Sequence, residues 1–189
     1  MNALWELDQS LFREVHLVLH HPWADPLFWI ISSTGLGWVQ AAFLAVFCLD
    51  FKNLPKGRFD WLWPVAWSGI LAGLSNPVLK QVFARERPSN FEWATPQEDI
   101  YFRSFPSGHS AGSFALAMAF VLLNPDLHWK WKAVAIGWAV LVGFSRIYRG
   151  VHWPTDVLGG FANGALAAVI VVAITIHLRA RPSRQDDAA

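Results

Sequence analysis

Long apolar runs, each closed by a charged or polar stretch, dominate the pattern of this chain. Residues 27–49 carry no formal charge and stop at Asp50, and residues 61–79 are likewise uncharged up to Lys80. In residues 107–125 the only ionisable side chain is His109. A fourth run covers 131–148, with a shorter strictly uncharged part at 133–145, and a fifth covers 157–178 and ends at Arg179. A helix needs roughly 20 apolar residues to cross the hydrocarbon of a bilayer. The pattern therefore predicts five membrane-crossing helices.

The first 25 residues follow another rule. Glu6, Asp8, Arg13 and Glu14 interrupt them, while Leu4, Leu7, Leu11, Val15 and Val18 recur at helical spacing beside Trp5 and Phe12. That periodicity predicts an amphipathic helix lying in the membrane interface. A cleavable signal peptide is not expected, because the basic start and apolar centre are missing. The chain thus divides into an interfacial helix at 1–25, a transmembrane domain at 27–178 and a polar tail at 179–189. The expected class is all-α, a polytopic helix bundle.

Composition agrees. Hydrophobic residues make up 54% of the chain and charged residues 15%, against about 25% charge in an ordinary soluble domain. So much apolar surface excludes intrinsic disorder, and Cys48 has no second cysteine with which to pair. A net charge of +1 gives no reason to expect a nucleic acid. The twelve Trp and fourteen Phe fit aromatic belts at the two interfaces. With the N-terminus outside, the inner loops and tail hold Lys52, Lys56, Arg58, Lys130, Lys132, Arg179, Arg181 and Arg184. The outer side holds Arg13, Lys80, Arg85, Arg87, Arg103, Arg146 and Arg149. Once Lys80, Arg87 and Arg146 are given to a site, the contrast is eight against four and follows the positive-inside tendency.

Polar chemistry concentrates in two loops on the same expected side. One joins the second and third spans and contains Lys80, Arg87 and Pro88, then Pro106-Ser107-Gly108-His109. The other joins the fourth and fifth spans and contains Ser145, Arg146, His152 and Asp156. Taken singly, each has an ordinary structural explanation: a helix-end cation that snorkels, a helix start, a loop histidine. Together they form a constellation. Lys80 and Arg87 lie about two helical turns apart and share a face. Ser107 is an N-cap candidate that leaves the N–H groups of Gly108, His109 and Ser110 for an anion. His152 and Asp156 are spaced so that, on a first helical turn, the carboxylate can hold the imidazole, and Pro154 is tolerated there.

Three motifs in this order, Lys80-x6-Arg87-Pro88, Pro106-Ser107-Gly108-His109 and Ser145-Arg146-x5-His152-x3-Asp156, resemble the signature of the type 2 phosphatidic acid phosphatase family. That resemblance implies a membrane lipid phosphatase without cofactor or metal. It casts His152 as the nucleophile, Asp156 as its orienting carboxylate and His109 as general acid and base. Lys80, Arg87, Ser107, Gly108 and Arg146 would bind the phosphate. The implied partners are a lipid phosphate or pyrophosphate and the surrounding lipids. Candidate substrates are a polyprenyl pyrophosphate, phosphatidylglycerol phosphate, phosphatidic acid and the 1-phosphate of lipid A. The expected location is a bacterial inner membrane with the site facing outward. A non-hydrolytic lipid-handling protein or transporter would instead place ionisable residues in mid-span, and the similar vanadate-dependent haloperoxidases are soluble. Arg85, Arg103 and Arg149 fall outside the motifs and read as solvated loop charge. Trp93 and Trp153 are candidates for lipid contact, and His20 and His21 beside Pro22 mark a turn. Gly69 with Gly73, and Gly160 with Gly164, are spaced for close helix packing.

Overall fold

The computed structural model describes residues 3–49 and 60–180, and every regular element among them is helical. Helix α1 (Ala3–Arg13) runs into a π-helical turn at Glu14–Val18. Helices α2 (Asp25–Ser33), α3 (Gly37–Leu49), α4 (Leu62–Phe83), α5 (Gly108–Leu123), α6 (Trp129–Tyr148) and α7 (Pro154–Arg179) follow. The expected elements at Lys52, Lys56, Arg58, Arg181 and Arg184 lie outside the described residues.

Local chemistry sets the helix ends that matter. Ser107 is the N-cap of α5, its hydroxyl accepting from the Ser110 N–H, and Pro154 occupies the first turn of α7. Helix α4 ends where Ala84 turns left-handed (φ 44°). Helix α6 leads into Gly150 (φ 75°), where the ring of His16 would stand 2.6 Å from any Cβ. A side chain there would be both strained and crowded.

The first expected span is not one straight helix. Helices α2 and α3 are bent by 65° across residues 34–36. Before the break, the Ser33 and Thr34 hydroxyls donate back to the Trp29 and Ile31 carbonyls at 2.8 and 2.7 Å. Gly35 is pressed into the bundle, where a Cβ would lie 2.6 Å from Val142 and 2.9 Å from His109. An uncharged run does not reveal such a bend, because hydropathy is averaged across it. Among the described helices, Pro154–Arg179 is by itself long and apolar enough to cross a membrane, with a mean hydropathy of 2.2, and the bent pair passes if taken as one span. Helix α5 has only 16 residues. Helices α4 and α6 are diluted by Ser68, Asn76 and Lys80, and by Lys130, Lys132 and Arg146.

Two kinds of core hold the helices. At the end carrying the two polar loops, Phe12, Ile147, Trp153 and Val157 form a large-residue core flanked by Trp5, Phe91 and Trp93. Midway along the bundle the buried residues are small, Ala72, Ala111, Ala115 and Ala167, and beyond them Ala119 and Ala168 lie with Val65 and Val172 against Trp61 and Phe120. Large apolar side chains point outward instead, among them Trp38, Trp63, Leu74 and Leu166. This small-inside, large-outside arrangement suits helices that pack by close backbone approach within lipid.

Helices α5 and α7 make the tightest of these contacts. A Cβ on Gly160 would come 2.6 Å from the Ser107 carbonyl, and one on Gly164 would stand 2.8 Å from the Ala115 nitrogen. Gly69 faces only the mobile tip of Leu116, and around Gly73 nothing lies within 4 Å. The expected packing role therefore holds for the α7 pair and fails for Gly73. Overpacking of a close helix contact costs about 1–3 kcal/mol. Gly164→Ala should lower the unfolding temperature in detergent by several degrees, while Gly73→Ala leaves it unchanged or raised. Equal effects would show that backbone contact at Gly164 does not limit stability.

Candidate active site

The site lies where the C-terminal ends of α4 and α6 meet the N-terminal ends of α5 and α7. The Ser107 N–H donates to the Asp156 carbonyl at 2.9 Å, which ties the start of α5 to the first turn of α7. Ser107 is fully buried, and its hydroxyl also accepts from the Ser110 hydroxyl at 2.9 Å. Gly108 beside it is exposed, so the N-terminal end of α5 is open. Asn76 of α4 steadies the approach by donating to the Pro106 carbonyl at 3.3 Å.

His152 is buried, with Nδ1 3.4 Å from Asp156 Oδ2 and Nε2 3.2 Å from Arg87 Nη1. Asp156 is fully buried, and its Oδ2 also accepts the Trp153 N–H at 2.9 Å. Arg87 is pinned by the carbonyls of Phe102 and Val151, the latter at 2.7 Å. Lys80 donates to the Arg103 and Ser104 carbonyls at 2.8 and 3.1 Å. Lys80, Arg87, Arg146 and His152 lie within electrostatic reach of one another, His109 within reach of Arg87, Arg146 and His152, and Asp156 within reach of Lys80 and Arg87. The structure thus gathers the candidate residues of all three motifs at one end of the bundle.

Burial, reinforced by Arg87, Arg146 and Lys80, holds the His152 imidazole well below its ordinary pKa. The imidazole is therefore neutral at pH 7, with a lone pair available. Burial and the neighbouring Arg146 bring Arg87 down to about 10, which leaves it charged at neutral pH. So many fixed cations repel a metal ion and attract an anion.

Several partners were not foreseen. Glu98 makes a two-pronged contact with Arg146, Oε1 to Nη1 at 2.7 Å and Oε2 to Nη2 at 2.8 Å, and Oε1 also accepts from Arg149 Nε at 2.8 Å. Arg146 further donates to the Ser32 hydroxyl, and its buried Nε has no partner among the described residues. Arg146 and Arg149 sit three apart on one helix face, which foretells a shared carboxylate. The facing loop offers Glu86, Glu92, Glu98 and Asp99, and spacing cannot choose among them. Arg149 is thus buried and paired rather than solvated. Arg103 caps α4 through the Lys80 and Gln81 carbonyls. Arg85 bridges Asp8 and Asp156.

The N-terminal segment supplies the roof. The leucines of its stripe, Leu4, Leu7 and Leu11, stay exposed, while Asp8, Phe12 and His16 on another face are buried. Trp153 is fully enclosed, its ring 4.9 Å from Trp5 and 5.0 Å from Phe12. It cannot meet a lipid. Trp93 packs on Phe12 and lies under Arg13 at 4.5 Å. The turn at His20 and His21 is anchored by His20 on Asp25 at 2.9 Å and by the His21 N–H on the Tyr148 hydroxyl.

The Glu98 clamp makes a pH prediction. Burial would raise the Glu98 carboxyl, but hydrogen bonds and charge from Arg146 and Arg149 overcome this and pull it from about 4.5 down to about 2. The clamp's stabilisation is then complete above the ordinary glutamate value and is lost as pH falls through the lower one. Breaking a buried pair costs several kcal/mol. Glu98→Gln should therefore lower the unfolding temperature by roughly 5 °C at pH 7, a gap that persists at pH 5 and shrinks towards pH 2. A gap that does not change with pH would reject the clamp.

The chain resembles known proteins over most of its length. Residues 61–179 match the family model described as the PAP2 superfamily. The chain is 30% identical over 191 residues to the lipid A 4'-phosphatase of Porphyromonas gingivalis, covering 96% of this chain and 78% of the relative. It is 38% identical over 111 residues to the undecaprenyl-diphosphatase of Sulfolobus acidocaldarius, covering 57% and 52% of the two chains. The crystal structure of a transmembrane PAP2-type phosphatidylglycerolphosphate phosphatase from Bacillus subtilis superimposes with a TM-score of 0.76 at 26% identity, over 96% of this chain and 90% of that one. With its three motifs gathered at one end of an all-helical bundle and 119 consecutive residues matched, the chain belongs to the PAP2 superfamily.

Proposed function

We propose that this chain is an integral-membrane lipid phosphatase that works through a phosphohistidine. The observation that carries the reading is the His152 ring, with Asp156 at Nδ1 and Arg87 at Nε2. Asp156 favours the tautomer with its proton on Nδ1, which leaves the Nε2 lone pair towards the cations. An arriving phosphate takes over the Arg87 N–H and frees that lone pair. Nε2 then attacks phosphorus, the bond to the leaving oxygen breaks, and His109 gives that oxygen its proton. In the second half His109 takes a proton from water, the hydroxide attacks phosphorus, the P–N bond breaks, and inorganic phosphate leaves. Lys80, Arg87, Arg146, Ser107 and the Gly108 N–H hold the equatorial oxygens, in the role that metal ions fill in other phosphoryl-transfer sites.

The substrate class is a lipid phosphate or pyrophosphate. The relatives' lipids share little beyond a phosphate on a hydrocarbon anchor, which is what these side chains recognise. An apolar cleft between α3, α4 and α5, lined by Leu44, Leu62, Ile70 and Leu116, offers room for the anchor. Its end at Gln40 is tied to Ser113, one turn below His109. In this reading α2 and α3 form one bent crossing among five and α1 lies in the interface, and the excess of Lys and Arg in the opposite loops favours a site at the outer face of a bacterial inner membrane.

Purified protein should release phosphate from a panel of undecaprenyl pyrophosphate, phosphatidylglycerol phosphate, phosphatidic acid and lipid A, at full rate in excess chelator and inhibited by vanadate. His152→Ala should abolish both turnover and the phosphoenzyme. Asp156→Asn should reduce kcat by roughly 10³–10⁴ with the fold intact, the scale seen for other orienting aspartates. Turnover that dies in chelator and returns with magnesium, or that survives in His152→Ala, rejects the mechanism.

Sidedness has its own test. In a Cys48→Ala background, a cysteine replacing the exposed Glu92 should react with an impermeant thiol reagent in intact cells, whereas one replacing the exposed Asp126 should react only after permeabilisation. The opposite pattern would move the site to the cytoplasmic leaflet, and labelling of both from one side would break the span count.

A further inference from the structure

Asp8 is the one carboxylate on the buried face of α1, and it is 2% exposed. An ionised group so placed is costly unless it is paired and hydrogen-bonded. It is both. Its Oδ1 accepts the Thr155 N–H at 2.9 Å, its Oδ2 accepts the Thr155 hydroxyl at 2.6 Å, and Arg85 Nη2 closes the group. Thr155 lies in the first turn of α7, whose N-cap is a tryptophan with no carboxylate or hydroxyl to offer. Asp8 therefore caps, from another helix, the helix that carries Asp156.

The second connection runs through Arg85. Its Nη1 donates to Asp156 Oδ1 at 2.8 Å, so one guanidinium holds two carboxylates from different helices. Trp5 of α1 and Trp153 lie within 5.1 and 5.6 Å of that guanidinium, and α1 thus contributes both a charge and a face. Arg85 can reach because Ala84 turns the chain out of α4, and its carbonyl is held by the Ser104 N–H at 2.8 Å. The result is a line of alternating charge, Asp8, Arg85, Asp156, ending on the His152 ring. Lys80 and Arg87 also face Asp156 electrostatically, yet only Arg85 touches its carboxylate among the described cations.

We infer that Asp8 and Arg85 are positioning residues of the catalytic apparatus, so that the docked N-terminal helix holds Asp156 in the orientation that serves His152. The inference rests on the roles proposed above for His152 and Asp156. Without Asp8, Arg85 is free to swing onto both Asp156 oxygens and draw the carboxylate off the ring. Without a guanidinium at 85, two buried carboxylates face each other unshielded.

The test is a kinetic cycle on purified protein, with an aryl phosphate of good leaving group so that slow variants stay measurable. Asp8→Asn and Arg85→Lys should each lower kcat roughly 10- to 100-fold, the scale for outer partners of an oriented histidine, with KM changed less than about threefold. In an Asp156→Asn background, Asp8→Asn should cost no more than about twofold, since its effect passes through Asp156. Should Asp8→Asn fail to fold, Arg85→Lys, which keeps the charge but loses the fork, decides in its place. Wild-type kcat in folded Asp8→Asn and Arg85→Lys, alongside a crippled Asp156→Asn, overturns the inference and leaves the mechanism standing. A full further loss from Asp8→Asn in the Asp156→Asn background also overturns it, by showing a general structural role. An unimpaired Asp156→Asn enzyme rejects the mechanism and the inference together.

Discussion

Everything at the site depends on how closely α5 and α7 approach. Glycines at 160 and 164 let the α7 backbone lie against Ser107, Ala111 and Ala115. That contact sets the start of α5 beside the first turn of α7, and a backbone hydrogen bond from Ser107 to Asp156 locks the register. The N-terminal end of α5 and the histidine that precedes α7 are thereby fixed relative to each other. Within lipid no hydrophobic effect drives helices together, so close packing of small residues must supply the adhesion.

On this frame most of the buried charges are held in place by one another or by backbone carbonyls. Arg146 and Arg149 share Glu98, and Asp8 and Asp156 share Arg85. Arg87 and Lys80 are held by backbone carbonyls, which fix their positions without cancelling their charge. The local field therefore stays positive where a phosphate would sit, and the same field keeps His152 neutral. A preorganised site of this kind needs no reorganisation when phosphoryl charge develops.

The bundle solves two solvent problems at once. Midway along α5 and α7 the interior is mostly alanine and glycine, with Val65 and Val172 joining it further on, and many bulky apolar residues face outward. At the polar end, where water competes for backbone groups, the core switches to Trp153, Phe12, Trp93 and their neighbours. The N-terminal helix belongs to both regimes, with leucines outward and Asp8, Phe12 and His16 inward.

Sequence alone determined the helical class, the presence of a helix in every apolar run, the N-cap at Ser107 and the identity of the motif residues. These follow from local rules: hydropathy, capping and spacing along one chain. It also paired His152 with Asp156, because a spacing of four residues across a helix start brings the two side chains within reach. The break at 34–36 escaped it, since a bend within an uncharged run changes no average. So did the partners of Arg85, Arg103 and Arg149, because an unmatched cation has the same spacing whether solvent or a distant carboxylate receives it. Asp8 stood in view as a charge among apolar neighbours, but its meaning lay 147 positions away at Thr155. Only the tertiary structure could decide which buried charge meets which, because the cost of burying each is met by a partner that the chain brings in from elsewhere.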